Sequence, residues 1–243
     1  MLTKIDNLSV NYEVYGQGER LLLLHGWATN LHSFEGLAPL LSKNFQVICL
    51  DLPGFGQSQA PSSAYGVFDY ANFVEKFLDY LDVKETHMLG HSMGGAICLA
   101  YALSFGHAKK LILEDSAGVR HKNLQTMYKV YLVKLLKVFT LPAFRQHLKH
   151  IFGSTDYRNA GNMRPTLVKI VNEDLSRRLA EIRQPTLIIW GQNDKTTTLD
   201  EARCINSGIK GSKLIILPNC DHFPHLEHTK EFAKLVTDFL LPE

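Results

Sequence analysis

The chain has 243 residues, 45% of them hydrophobic and 21% charged, with a formal net charge of +2, values that allow one sizeable buried core and exclude a disordered chain. Its four cysteines, Cys49, Cys98, Cys204 and Cys220, are scattered without a CxxC pair, which excludes a disulfide scaffold and argues against a zinc site. The early apolar runs are far too short to span a bilayer and residues 1–16 lack the pattern of a secretory signal, so a cytoplasmic address is expected.

In chain order, residues 11–15 read as an antiparallel edge strand, and residues 21–25 as the first of several short apolar runs. Helical periodicity follows at 33–41, then a second apolar run at 47–51 and a helix at 68–81. Residues 87–90 form the next run, residues 93–105 the next helix, and residues 111–115 a run ending on Asp115. After residue 183 the alternation resumes, with runs at 186–191 and 214–218 and helices at 199–207 and 225–240. Runs apolar on both sides, separated by helices, predict an α/β fold with a mostly parallel sheet covered on both faces. Chemistry in such a sheet gathers at the carboxyl ends of the strands.

Between residues 118 and 183 no strand is legible, and helical pieces are broken by Pro142, Gly153, Gly161 and Pro165. This segment reads as a helical cap inserted in a core made of residues 1–117 and 184–243. Residues 116–183 hold 13 Lys and Arg against 4 Asp and Glu, while the rest of the chain holds 13 against 20, so the small net charge hides a strong separation of sign. Tyr128, Leu132, Leu135 and Phe139 share one helical face, with Lys129, Lys134 and Lys137 in another sector. That face is expected to roof an acyl pocket, with membrane-surface binding as the alternative.

The strongest motif is Gly90-His91-Ser92-Met93-Gly94, a G-x-S-x-G pentapeptide between a strand and a helix. Small residues permit the tight turn that lifts a serine hydroxyl clear of the backbone, and the helix start favours a developing oxyanion. Four further blocks follow the order of one family: His25-Gly26-Trp27, the turn at 51–58 (DLPGFGQS), Trp190-Gly191-Gln192-Asn193-Asp194, and the loop at 221–227 (DHFPHLE). Together these resemble the α/β-hydrolase family over residues 21–239, the cap excepted, and within it the small serine carboxylesterases, including the pimeloyl-acyl-carrier methyl esterases.

The resemblance implies Ser92 as nucleophile, His222 as general base and Asp194 as the acid that orients it, with Asp115 the competing acid. It implies an oxyanion hole from the backbone N–H groups of Trp27 and Met93 and a substrate pocket touched by Trp27, Tyr128, Leu132 and Phe223. His225 and His228 read as partly exposed helix residues, and His25 and His91 as loop-shaping ones. Cys220-Asp221 replaces the small residue the family usually carries before the histidine, which makes Cys220 a thiol-reagent hazard and Asp221 a possible influence on His222. The implied reaction is hydrolysis of a small-molecule carboxylic ester through an acyl-enzyme. Thioester, acyl-carrier methyl ester, C–C bond and enol-lactone cleavage use similar frames, and a non-catalytic ligand-binding homologue is the reading of another class. No cofactor, metal or nucleic-acid partner is expected, while the basic cap suits an acidic carrier protein or a coenzyme A ester.

Overall fold

The computed structural model of this protein describes residues 1–120 and 159–241. Eight strands form one sheet in the order β1-β2-β4-β3-β5-β6-β7-β8. β1 (Leu2–Ile5) and β2 (Leu8–Tyr15) are joined by a turn in which Asp6 and Asn7 both have positive φ, 48° and 66°, as a tight hairpin requires. β2 pairs antiparallel with β4 (Phe45–Leu50), and β3 (Glu19–Leu24), β5 (Thr86–His91), β6 (Ala108–Glu114), β7 (Thr186–Gly191) and β8 (Lys213–Leu217) continue the sheet in parallel.

Alternation along a strand divides the core into two layers. Leu22 and Leu24 pack with α2 (Val67–Tyr80) and α3 (Met93–Ser104), while Leu21 and Leu23 face the opposite layer with α1 (Ala38–Leu41). The start of α3, from Met93 to Tyr101, is buried all round, which explains why its sequence carries almost no polar side.

Four expectations change. Residues 11–15, expected at the sheet's edge, belong to β2, which lies between β1 and β4. The predicted helix over 33–41 is a 3-10 turn, Leu31–Phe34, followed by α1. The last predicted helix is split at His228 into two, Pro224–Glu227 and Thr229–Leu240. The run at 214–218 is not a buried central strand: β8 has only one neighbour and exposes Ile216 to 39%, as an edge strand does.

Of the expected cap, the described part comprises a 3-10 turn Gly161–Met163, α4 (Arg164–Asn172) and a 3-10 stretch Ser176–Glu181. Leu175 N–H bonds the Gly118 carbonyl at 2.8 Å, so the chain leaves and rejoins the core at one point. Leu179 and Ile182 are buried in the core layer that holds α2 and α3. The Glu173 carboxylate reaches across to accept from Val67 N–H at 2.5 Å, and a Cβ at Gly66 would lie 2.1 Å from that carboxylate, so a larger residue there would displace the Glu173 side chain. The amphipathic segment 128–139, with Tyr128 and Leu132, lies outside the described residues. Among the described residues no helix is long and apolar enough to cross a membrane.

Candidate active site

Ser92 stands between β5 and α3 with φ 51° and ψ −112°, a left-handed conformation costly for a residue with a side chain. Its N–H bonds the Glu114 carbonyl at 2.9 Å, and its carbonyl accepts from Gly95 at 3.0 Å and Ala117 at 3.0 Å. The turn is that tight because glycine lets backbones touch: a Cβ at Gly94 would sit 2.0 Å from the Leu24 carbonyl oxygen. Among the described residues the backbone N–H groups of Met93, at the start of α3, and of Trp27 have no acceptor, and both residues line the same cavity as Ser92.

The loop carrying Trp27 is fixed from below. His25 Nδ1–H donates to the Gly26 carbonyl at 2.8 Å and Nε2 accepts from Leu52 N–H at 3.0 Å, a division of roles that needs a neutral ring; burial pushes its pKa down to about 4. The Asp51 carboxylate accepts from Leu31 N–H at 2.8 Å, Gln57 N–H at 2.8 Å and the Asn11 amide at 2.9 Å, tying the turn at 51–58 to the same loop.

His222 follows β8, and its Nδ1 donates to Asp194 Oδ2 at 2.7 Å. The Asp194 side chain has no solvent exposure and His222 keeps 14%. Asp194 also accepts from Thr196 N–H at 2.7 Å, Thr197 N–H at 3.2 Å and the Thr197 hydroxyl at 2.6 Å. Burial alone would raise the Asp194 pKa, but these bonds from His222 and Thr197 outweigh it and hold the carboxyl below its ordinary value. Thr196 and Thr197 were not anticipated, although a short polar run two residues after an aspartate is the signature of a side chain that caps its own following turn.

The ring of His91 joins the serine turn to the histidine loop. Its Nε2–H donates to the His222 carbonyl at 2.8 Å, and its ring lies 4.9 Å from that of His222 and 4.8 Å from that of Phe223. Burial lowers its pKa to about 3, so it stays neutral. No hydrogen bond links the Ser92 hydroxyl to His222 among the described residues; such bonds are often long before substrate binds.

Asp115, the competing acid, makes no hydrogen bond to His222 among the described residues; its Oδ1 accepts from Gly191 N–H at 3.0 Å. Burial first, and then the Glu114 charge, push its pKa up to about 10. His225 is not a surface residue. It lies in α5 (Pro224–Glu227), which precedes α6 (Thr229–Leu240), is 1% exposed, and pairs through Nδ1 with Glu114 Oε1 at 2.7 Å. Asp221 is exposed. Cys220 is buried, and burial raises its thiol pKa to about 12.

Ser92, Met93, Trp27 and Thr197 line a cavity of about 230 Å³ together with Val119, Arg120, Leu167 and Ile170; His222 and Asp194 are not among its lining residues. Phe223 does not line it and supports the histidine rings instead. Among the described residues, one group of three acid or imidazole side chains brings its ligand-type atoms within 4.8 Å, Asp115, Asp194 and His222.

Comparison with known proteins matches residues 19–156 and 166–229 to the family described as alpha/beta hydrolase fold. A 2-hydroxy-6-oxononadienedioate/2-hydroxy-6-oxononatrienedioate hydrolase of Escherichia coli O139:H28 (strain E24377A / ETEC) is 31% identical over 262 residues, covering 96% of this chain and 91% of that protein. The crystal structure of a membrane phospholipase A, a bacterial virulence factor, has a TM-score of 0.81 at 27% identity, over 99% of this chain and 84% of that one. The enol-lactonase from Burkholderia xenovorans LB400 shares the fold with a TM-score of 0.78 at 22% identity, over 99% of both chains.

Proposed function

This chain is a hydrolase that belongs to the α/β-hydrolase fold family, and within it we propose a serine hydrolase that cleaves small carboxylic esters through an acyl-enzyme on Ser92. The observation that carries the reading is the His222–Asp194 bond of 2.7 Å in the loops that flank a strained, cavity-lining Ser92. Asp194 keeps the His222 proton on Nδ1, which leaves Nε2 free to take the Ser92 proton as Oγ attacks the ester carbonyl. Charge developing on the carbonyl oxygen is met by the Trp27 and Met93 N–H groups, each worth about 3 kcal/mol in the transition state. His222 then gives its proton to the departing alcohol, and water activated by the same imidazole releases the acid.

Val119, Leu167 and Ile170 give the cavity an apolar stretch suited to an acyl group. The phospholipase A likeness supports ester chemistry. A second reading, C–C bond hydrolysis of an oxo-dienedioate on the same three residues, is favoured by the curated relative and by Arg120 on the cavity wall, a cation for a substrate carboxylate. An acidic carrier protein or coenzyme A as the leaving half belongs to the ester proposal, on the grounds of the basic charge of residues 116–183.

The test is a p-nitrophenyl ester series from acetate to laurate, run beside an oxo-dienedioate on wild type and Ser92→Ala. Ester turnover that vanishes in Ser92→Ala supports the proposal. Faster turnover of the oxo-dienedioate transfers it to the second reading. Neither turnover nor covalent labelling of Ser92 by an organophosphonate would leave a ligand-binding homologue.

A further inference from the structure

Asp115, at the end of β6, Asp194, after β7, and His222, after β8, come together behind the cavity, with ligand-type atoms all within 4.8 Å of one another. Both aspartates are buried, at 0% and 8% exposure. Two carboxylates in so dry and close a setting do not both ionise; one keeps its proton, and the surrounding donors decide which.

Asp194 receives four donated hydrogen bonds, from Thr196 N–H, Thr197 N–H, the Thr197 hydroxyl and His222 Nδ1. Asp115 receives one, from Gly191 N–H on Oδ1, and its buried Oδ2 receives none among the described residues. The other titratable groups around Asp115 worsen the place for a second anion. Glu114, its neighbour on β6, is held ionised because His225 offsets the burial that would raise it, and Asp194 adds a second negative charge, while Cys220, from the loop after β8, is a buried neutral thiol.

We propose that Asp115 is a neutral carboxylic acid whose Oδ2–H is directed at the Asp194 carboxylate, making it a positioning residue for the Asp194–His222 pair. The O–H donor draws charge from Asp194 and limits its rotation, so the shared proton stays on His222 Nδ1 and the ring keeps its orientation. Its catalytic consequence rests on the reading that His222 serves Ser92; its protonation state does not.

The experiment separates the two. An infrared difference spectrum of wild type minus Asp115→Asn at pH 8 is expected to contain the carbonyl stretch of a protonated carboxyl. A difference containing only carboxylate bands overturns the proposal, whatever the activity, and the Asn variant alone suffices for it. In kinetics on a p-nitrophenyl ester, Asn keeps an acceptor for Gly191 and an N–H for Asp194, whereas Asp115→Leu keeps neither. The kcat of the Leu variant should fall about tenfold below that of the Asn variant at similar KM, the scale of one hydrogen bond to a charged group. The acid limb of kcat/KM in the Asn variant should stay within about 0.3 pH unit of wild type, because no charge has been removed. A downward move of about one unit or more, the mark of a lost anion beside His222, or equal kcat in both variants, would refute it.

Discussion

His225 Nδ1 lies 2.7 Å from Glu114 Oε1, and neither side chain has any solvent exposure. The His225 N–H reaches the same oxygen, also at 2.7 Å, so one carboxylate fastens the histidine loop to the end of β6. Removing the carboxylate strands the His225 N–H and ring donor in a dry interior, so Glu114→Leu should lose about 3 kcal/mol of unfolding free energy in urea. The double variant Glu114→Leu/His225→Phe should recover more than half of that, and additive losses in the double-mutant cycle would show that the two residues are not coupled.

Ser92→Ala should reduce kcat by about 10³-fold or more and abolish organophosphonate labelling. Asp194→Asn should cost kcat on the order of 10³-fold to 10⁴-fold, because an amide can leave the imidazole proton on the wrong nitrogen. KM should change little in both. Active-site titration of the Asn variant would show whether the loss lies in rate or in the fraction of competent enzyme.

Asp115 also sets a slope of stability against pH. An unfolded aspartyl group titrates near 3.8 and the folded one at about 10, so between these limits the unfolded chain has lost a proton that the folded chain retains. Unfolding is therefore increasingly favoured as pH rises through that window. Asn cannot ionise and escapes this, so the stability of Asp115→Asn relative to wild type should rise by at least about 2 kcal/mol between pH 4 and pH 8. Urea melts at the two pH values give the comparison, and a gain that does not grow with pH would contradict it.

Much of this arrangement was legible in residue order. The alternation of apolar runs and helices gave the parallel sheet, and Ser92, Asp194 and His222 each fell at a strand end because their loops carry distinctive neighbours. Burial of single histidines was not legible: His225 sits two residues from exposed Glu227 in a one-turn helix, too short for periodicity to assign a face. The pairing of Glu114 with His225, like the approach of Asp115 to Asp194, joins elements 76 or more positions apart, and only the sheet order brings them together. β1 escaped notice because its four residues, one of them buried, carry almost no pattern.

The cysteines should prove quiet. Cys49, Cys98 and Cys220 are buried, and burial raises the pKa of each, to about 12 for Cys49 and Cys220. Cys204 alone is partly exposed. Native protein treated with a chromogenic disulfide reagent at pH 8 should release about one equivalent, rising to four in denaturant. Rapid release of a second equivalent, with loss of activity, would restore Cys220 as a reactive neighbour of His222.

β3 and β5 are hydrogen-bonded neighbours, with Leu24 paired to Gly90. The loop bearing Trp27 and the turn bearing Ser92 therefore start from the same rung of one ladder, and their spacing is inherited from backbone registration. A one-residue insertion inside β5 would slide that rung and spoil both at once, while surface loops far from it can lengthen freely. Mutational tolerance should accordingly be lowest in strand length at the middle of the sheet, where drift in sequence is permitted but drift in count is not.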